Sequence, residues 1–326
     1  MNPHSEQRPS PGSTPGDGRC PVPGAKVAVV TDNAAALPAA WRAEFEASGV
    51  FSSVELPVLI GGQLYTEDEA DMLSSLVIAL AEGRPVTTSR PAPGQLRKIY
   101  EAFQSAGFEA IVSVHLSAEL SGTLGAARIA RQDIDIPVRL VDTHSAALGQ
   151  GLGVRAAVQA TLAGQGIDDV AAAASAASAE AQVLIQVNSL ETLRRGGRIN
   201  PTSAMLGTML QIKPLLSLHE GKIVTVERPV SAIKARGRFM TLVGDALAHS
   251  EASTPVLCIH HVSDPHGARE IGETLVDRYR PDAQLILSEL PAVLSAHVGL
   301  GTKAAIVEGP TSRPIAHGNR AAPAES

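Results

Sequence analysis

Short β-branched runs alternate with longer Ala/Leu-rich segments over most of this chain. The runs predict strands at Lys26–Thr31, Val54–Ile60, Ala110–His115, Pro137–Val141, Val183–Val187, Pro214–Leu218, Lys222–Glu227, Pro255–His260 and Gln284–Ser288. The longer segments predict helices at Leu37–Ala47, Ala70–Ala81, Gly94–Ser105, Leu120–Arg131, Leu152–Ala163, Ile167–Ala179, Ser231–His249 and His266–Tyr279. Strands separated by helices of about ten to fifteen residues imply βαβ units and largely parallel sheets. His219-Glu220-Gly221-Lys222, between two short strands, predicts a β-hairpin in the second half. The expected fold class is therefore α/β. Two α/β domains are expected, over 26–165 and 166–308. Residues 1–25 and 309–326 are rich in Pro, Gly, Ser and Ala and are expected to be disordered tails. No repeat at solenoid spacing is present.

Composition narrows the function classes. With 326 residues, 44% of them hydrophobic, the chain can fill one large or two ordinary cores. Its formal net charge of -6 gives no general attraction to phosphate backbones, and 3% aromatics leave little to stack on bases. Nucleic acid is not an expected partner. The N-terminus, MNPHSEQRPSPGSTPGDGRC, has no apolar core of the kind a signal peptide carries. The longest uncharged stretch, Ile199 to Ile212, contains Asn200, Pro201 and Ser203 and is too short and polar to span a bilayer. A soluble, cytoplasmic protein without an integral membrane segment is expected. Cys20 falls in the N-terminal tail and Cys258 in an apolar run, so no disulfide is expected.

Several segments carry candidate chemistry. Thr88-Ser89-Arg90-Pro91 offers hydroxyls beside a proline, either to cap the helix near Gly94 or to bind an anion at its N-terminus. Ser117-Ala118-Glu119-Leu120-Ser121-Gly122-Thr123 follows a strand at the position where open α/β sheets bind ligands, although a cap by Ser117 explains it too. His297 precedes the glycines of Val298-Gly299-Leu300-Gly301, as either a core imidazole or a ligand group. Arg194-Arg195-Gly196-Gly197 reads as a helix C-terminus, with arginines opposing the dipole; Arg198, beyond the glycines, is not explained that way. Gly149, Gly151 and Gly153 do not follow a strand directly, and no acidic residue closes a second strand, so they predict tight helix packing rather than a dinucleotide site. His260 and His261 would point to opposite faces of a strand, so no metal is expected there.

Taken in order, Val29-Val30-Thr31-Asp32, Thr88-Ser89-Arg90-Pro91, Leu120-Ser121-Gly122-Thr123, Val141-Asp142-Thr143, Gly196-Gly197-Arg198-Ile199, Ile212-Lys213-Pro214 and His297 to Gly301 resemble the DegV family of fatty-acid-binding proteins. The resemblance implies an acyl chain in a ligand tunnel between the two domains. It implies that Thr88, Ser89, Ser121 and His297 hold the carboxylate. It further implies a carrier without catalysis or cofactor, the lipid-binding subunit of a bacterial fatty acid kinase. The partner would be a kinase similar to dihydroxyacetone kinase, which phosphorylates the bound carboxylate, and Arg198 and Arg228 would lie on the docking face. Arg90 stands where the family commonly has Gln, Leu300 where it has Pro, and Asn33 where it has Ser. A rival reading is a serine hydrolase built from Ser121, His297 and Asp142, although Ser121 lies outside a Gly-x-Ser-x-Gly elbow. No phosphate-binding Gly-x-x-x-x-Gly-Lys-Ser/Thr loop is present to support a nucleotide-dependent kinase.

Overall fold

The computed structural model describes residues 26–66, 72–199 and 212–315. Strand β1 (Val27–Asp32) is buried on both faces. A 3-10 turn follows over Asn33–Ala35, where the Asp32 side chain accepts from Ala34 N. Helix α1 (Ala39–Ala47) leads to β2 (Phe51–Val54), and Pro57 separates β2 from β3 (Val58–Ile60). The single strand expected over Val54–Ile60 is thus broken where proline removes a ladder donor. Strand β3 pairs antiparallel with β4 (Gln63–Tyr65) and β5 (Val86–Thr88), with α2 (Met72–Ala81) packed beside them.

The chain continues through α3 (Pro93–Ser105), β6 (Ala110–His115), α4 (Thr123–Ala130), β7 (Val138–Asp142), α5 (Leu148–Leu162) and α6 (Ile167–Glu180). The first large sheet has the order β2-β1-β6-β7 and is wholly parallel. Helices α3 and α4 lie on one face, α5 and α6 on the other. The glycines of α5 allow close packing: a Cβ on Gly151 would stand 2.6 Å from Ala35 O, and one on Gly153 2.7 Å from Ala174 O. Val170, Ala171 and Ala174 of α6 are buried in the first core. The apolar face of α6 thus packs on the first sheet.

The second unit contains β8 (Gln182–Gln186), α7 (Glu191–Arg195), β9 (Leu215–His219), β10 (Lys222–Glu227), α8 (Ala232–Ala248), β11 (Val256–His261), α9 (Pro265–Tyr279), β12 (Gln284–Glu289), α10 (Ala292–Val298) and β13 (Lys303–Val307). Its sheet runs β10-β9-β8-β13-β11-β12. Among the described residues, only β11 and β12 of this sheet pair in parallel; the other neighbours are antiparallel. Parallel pairing thus dominates the first sheet but not the second. The seven residues of α10 span about 10 Å, too short to carry the chain back along a strand, so β13 returns antiparallel. The expected hairpin is β9–β10, with Glu220 and Gly221 both at positive φ as a two-residue turn requires. Helices α8 and α9 cover one face of this sheet. Past Gly309 the described residues end at Ile315, which is buried in the second core and whose N–H donates to Gln182 Oε1. Among the described residues, no helix is long and apolar enough to cross a membrane.

A buried pair ties the carboxyl ends of β1 and β6 together. His115 Nδ1 lies 2.7 Å from Asp32 Oδ2, and both side chains are inaccessible to solvent. Gln150 Nε2 of α5 donates to Asp32 Oδ1 at 3.1 Å, and Leu116 N to Oδ2 at 3.4 Å. His115 Nε2 meets Ser113 Oγ at 2.8 Å, and Ser113 meets Tyr100 OH at 2.7 Å. Removing one member leaves the other desolvated and unpaired. Asp32→Ala is expected to lower the unfolding free energy by about 3–5 kcal/mol in urea denaturation. A loss under about 1 kcal/mol would show that this pair does not hold the sheet edge.

Candidate functional site

A cavity of about 190 Å³ lies where the carboxyl edge of the first sheet meets the face of the second opposite α8 and α9. Leu56, Leu116 and Ala147 line it from the first unit, and Val183, Ile185, Leu218, Leu294 and Ala304 from the second. Among the described residues, its polar lining is confined to Thr88, Ser89, Arg90, Ser121, Arg198 and His297. The cavity is thus mostly apolar, with hydroxyls, an imidazole and guanidinium groups grouped among its walls.

These side chains are placed by four separate segments of the chain. Thr88 ends β5, a strand the sequence pattern does not reveal. Its Oγ1 lies 2.8 Å from His297 Nε2, across 209 positions of sequence. His297 sits on the last turn of α10, another element missing from the sequence pattern. The imidazole rests against Gly196: a Cβ there would stand 2.6 Å from His297 Nδ1. Ser121 precedes α4; its Oγ meets Thr123 Oγ1 at 2.8 Å and accepts from Thr123 N at 3.3 Å. Ser89 is exposed at the rim, its hydroxyl donating to Arg90 O at 3.2 Å. Neither Thr88 nor Ser89 caps α3, since Gln95 Oε1 accepts from Ala92 N there. Ser117 caps no helix either: its Oγ donates to Gly221 O at the tip of the β9–β10 hairpin.

Arg198 is the residue whose place the sequence least revealed. Gly197, at positive φ, ends α7 and turns the chain so that Arg198 N bonds to Leu193 O. The half-buried guanidinium then reaches into the first unit, where Nε donates to Leu120 O at 3.0 Å, and Nη1 donates to Gly196 O at 2.5 Å. The sequence signals were its position beyond the glycines, where a helix dipole no longer accounts for it, and its place in the Gly196-Gly197-Arg198-Ile199 motif. Arg228 is exposed, just past β10, and does not line the cavity. The structure therefore does not bring the two arginines together in the site.

Burial, and secondarily the Arg198 charge, pushes the His297 imidazole down to about 4. At neutral pH it is uncharged and can either donate to or accept from Thr88. Burial lowers Arg198 from its ordinary value as well. The site is therefore a partly dehydrated, electropositive pocket with movable hydroxyl donors, suited to a single anionic group on an apolar body.

The hydrolase relay is not assembled. His297 is engaged by Thr88 and Ser121 by Thr123, whereas Asp142 lies outside this cavity and accepts from Ala118 N and His144 N. A Ser–His–Asp chain does occur, as Ser113–His115–Asp32, but all three side chains are buried and Tyr100 occupies the serine hydroxyl. Among the described residues, no cluster of three or more His, Cys, Asp or Glu could hold a metal.

The DegV family profile matches residues 26–309. A DegV domain-containing protein of Streptomyces coelicolor is 38% identical over 281 residues, covering 86% of this chain and 98% of its own. A fatty-acid-binding DegV family protein of Thermus thermophilus superposes with a TM-score of 0.76 at 29% identity, covering 87% of this chain and 99% of its own. DegV of Bacillus subtilis, a fatty acid binding protein, superposes with a TM-score of 0.77 at 26% identity, again covering 87% and 99%.

Two expectations follow from the His297 environment. Gly196→Ala keeps a helix-compatible backbone but drives a methyl group into the imidazole. The Thr88 contact should be lost, read as a changed His297 ring resonance in NMR with an unchanged unfolding midpoint. An unshifted resonance would contradict the close approach. The second concerns acid. An imidazole that titrates lower folded than unfolded opposes folding once the unfolded chain begins to bind its proton. Stability should fall as pH drops through 6.5 towards about 4 and then level off for this group. His297→Gln should flatten part of that decline in urea titrations.

Proposed function

The chain belongs to the DegV family, and from that premise we propose that it binds one long-chain fatty acid in this cavity. The protein acts as a cytoplasmic carrier without bond chemistry of its own. It presents the carboxylate to a separate kinase, similar to dihydroxyacetone kinase, for conversion to an acyl phosphate. The observation that carries the binding reading is the convergence of Thr88, Ser121, Arg198 and His297 in a cavity otherwise walled by aliphatic side chains. The fatty-acid-binding relatives from Thermus thermophilus and Bacillus subtilis support it.

The physical division of labour is simple. Each buried methylene contributes about 0.8 kcal/mol, so the chain supplies affinity. The carboxylate cannot enter unpaired, so hydroxyl donors, the imidazole and Arg198 receive it. Thr88, Ser121 and His297 are its direct partners in this reading, with Ser89 at the rim. Ser89, Arg90 and Gly122 are exposed at this end of the cavity, which leaves the head group approachable by a kinase. Arg228 is the docking cation on the surface; Arg198 joins docking to head-group binding.

An organic extract of the purified protein should contain one long-chain fatty acid per chain by mass spectrometry. Ser121→Ala and His297→Ala should each weaken binding to delipidated protein by about ten- to a hundredfold in calorimetry, the value of a hydrogen bond to a charged group. Fatty alcohols should be less sensitive; equal sensitivity would mean that these residues do not read the carboxylate. Delipidated protein that takes up no fatty acid would sink the binding reading. Arg228→Glu should leave affinity unchanged and abolish acyl-phosphate formation with a cognate kinase, while Arg198→Glu should impair both. Normal phosphorylation of Arg228→Glu would overturn the docking role.

A further inference from the structure

We propose that Val183 and Leu218 form the wall that sets the longest acyl chain the cavity admits. The inference rests on the fatty-acid reading above and adds the determinant of chain length.

A second cavity, of about 740 Å³, lies beside the first. It opens between the end of β7, the end of α6 and the tip of the β9–β10 hairpin, and Asp142, Ser145, Ser175 and Glu220 are among its lining residues. Val183 and Leu218 line both cavities. Their juxtaposition follows from strand register. Ile185 of β8 pairs with Leu216 of β9, antiparallel. Carrying that register on by two residues sets Val183 opposite Leu218, and Ser217 Oγ donates to Val183 O at 2.8 Å at this point. Alternation along a strand puts Val183 on the same face as Ile185, which also lines the first cavity. Behind Val183 lies Gly149 of α5, where a Cβ would stand 3.3 Å from Val183 Cγ2. No side chain from that position of α5 thickens the wall.

Along β8 the wall stands at the end away from Arg198. Arg198 and Leu193 follow the carboxyl end of β8, whereas Val183 is next to its amino end. A chain anchored at Ser121 and His297 therefore runs along β8 towards Val183 and Leu218. Beyond them the lining turns to carboxylates and hydroxyls, which an alkyl end gains little by meeting. Leu290 likewise lines the acyl cavity and borders a third one, of about 250 Å³, but it lies on the loop entering α10, the helix that carries His297, at the head-group end. It is the control position.

Affinities of saturated fatty acids of increasing length, measured on delipidated protein, test the assignment. For the natural sequence, each methylene should tighten binding roughly fourfold until a break length, after which affinity stops rising. Leu218→Ala should move the break longer by on the order of two to three methylenes, matching the carbons removed. Leu218→Phe should move it shorter, and Leu290→Ala should leave it in place. Unfolding midpoints identify any variant that has lost its fold; the oppositely directed Leu218 variants and Val183→Ile, which should shorten the break, keep the question open to an answer. An unchanged break in folded Leu218 and Val183 variants overturns the wall, as does a shift produced by Leu290→Ala alone. Failure of the natural sequence to bind any acid would instead sink the fatty-acid reading itself, and the wall with it.

Discussion

The carboxylate–imidazole contact between Asp32 and His115 is the constraint on which the rest of the site depends. It lies at the carboxyl edge of the parallel sheet, where loops leave to build the cavity. Burying such a pair is unfavourable unless its remaining polar atoms find partners. Here Ala34 N, Leu116 N and Gln150 Nε2 supply donors to the carboxylate, and Ser113 completes the imidazole. One pair therefore fixes the start of the 3-10 turn, the exit of β6 and the register of α5. These are the three places from which the first unit faces the second.

Onto this fixed edge the second unit closes by a few directional contacts. Ser117 holds the hairpin tip through Gly221 O, Lys222 approaches Glu119 at 3.6 Å, and Arg198 bonds Leu120 O. All three fall within the loop that ends at Ser121. The exposed Lys222–Glu119 pair contributes little by itself. The two hydrogen bonds to backbone carbonyls matter more, because they define where Ser121 stands relative to His297. The close approach of Gly196 to the imidazole serves the same end from the other side.

Chemistry is shaped by what these contacts leave unfilled. His297 is kept neutral by burial and by Arg198, so among the described residues the site holds two guanidinium groups, Arg90 at the exposed rim and Arg198 half-buried, and several donors of adjustable direction. Arg198 already spends Nε and Nη1 on the carbonyls of Leu120 and Gly196, so the hydroxyls and the imidazole are the donors left to adjust to a carboxylate. The fully buried Asp32–His115–Ser113 chain has the residue types of a hydrolase and none of its access. Residue identity without exposure does not make an active site.

The sequence by itself determined the α/β class, most strands and helices, the hairpin turn and the order of the motifs. Periodicity and turn residues are local, and they act within a few positions of where they are read. The glycines of α5 were legible as packing positions for the same reason. Tertiary structure alone decided the rest. It joined Thr88 to His297 from opposite ends of the chain, assigned α6 to the first core, reversed β13 between β8 and β11, and carried Arg198 into the cavity. Strand β5 and helix α10 are too short for a periodic signal, and it is their packing against each other and against α2 that makes them form. A pocket assembled from such elements is a property of long-range contacts, whose energies no local pattern encodes.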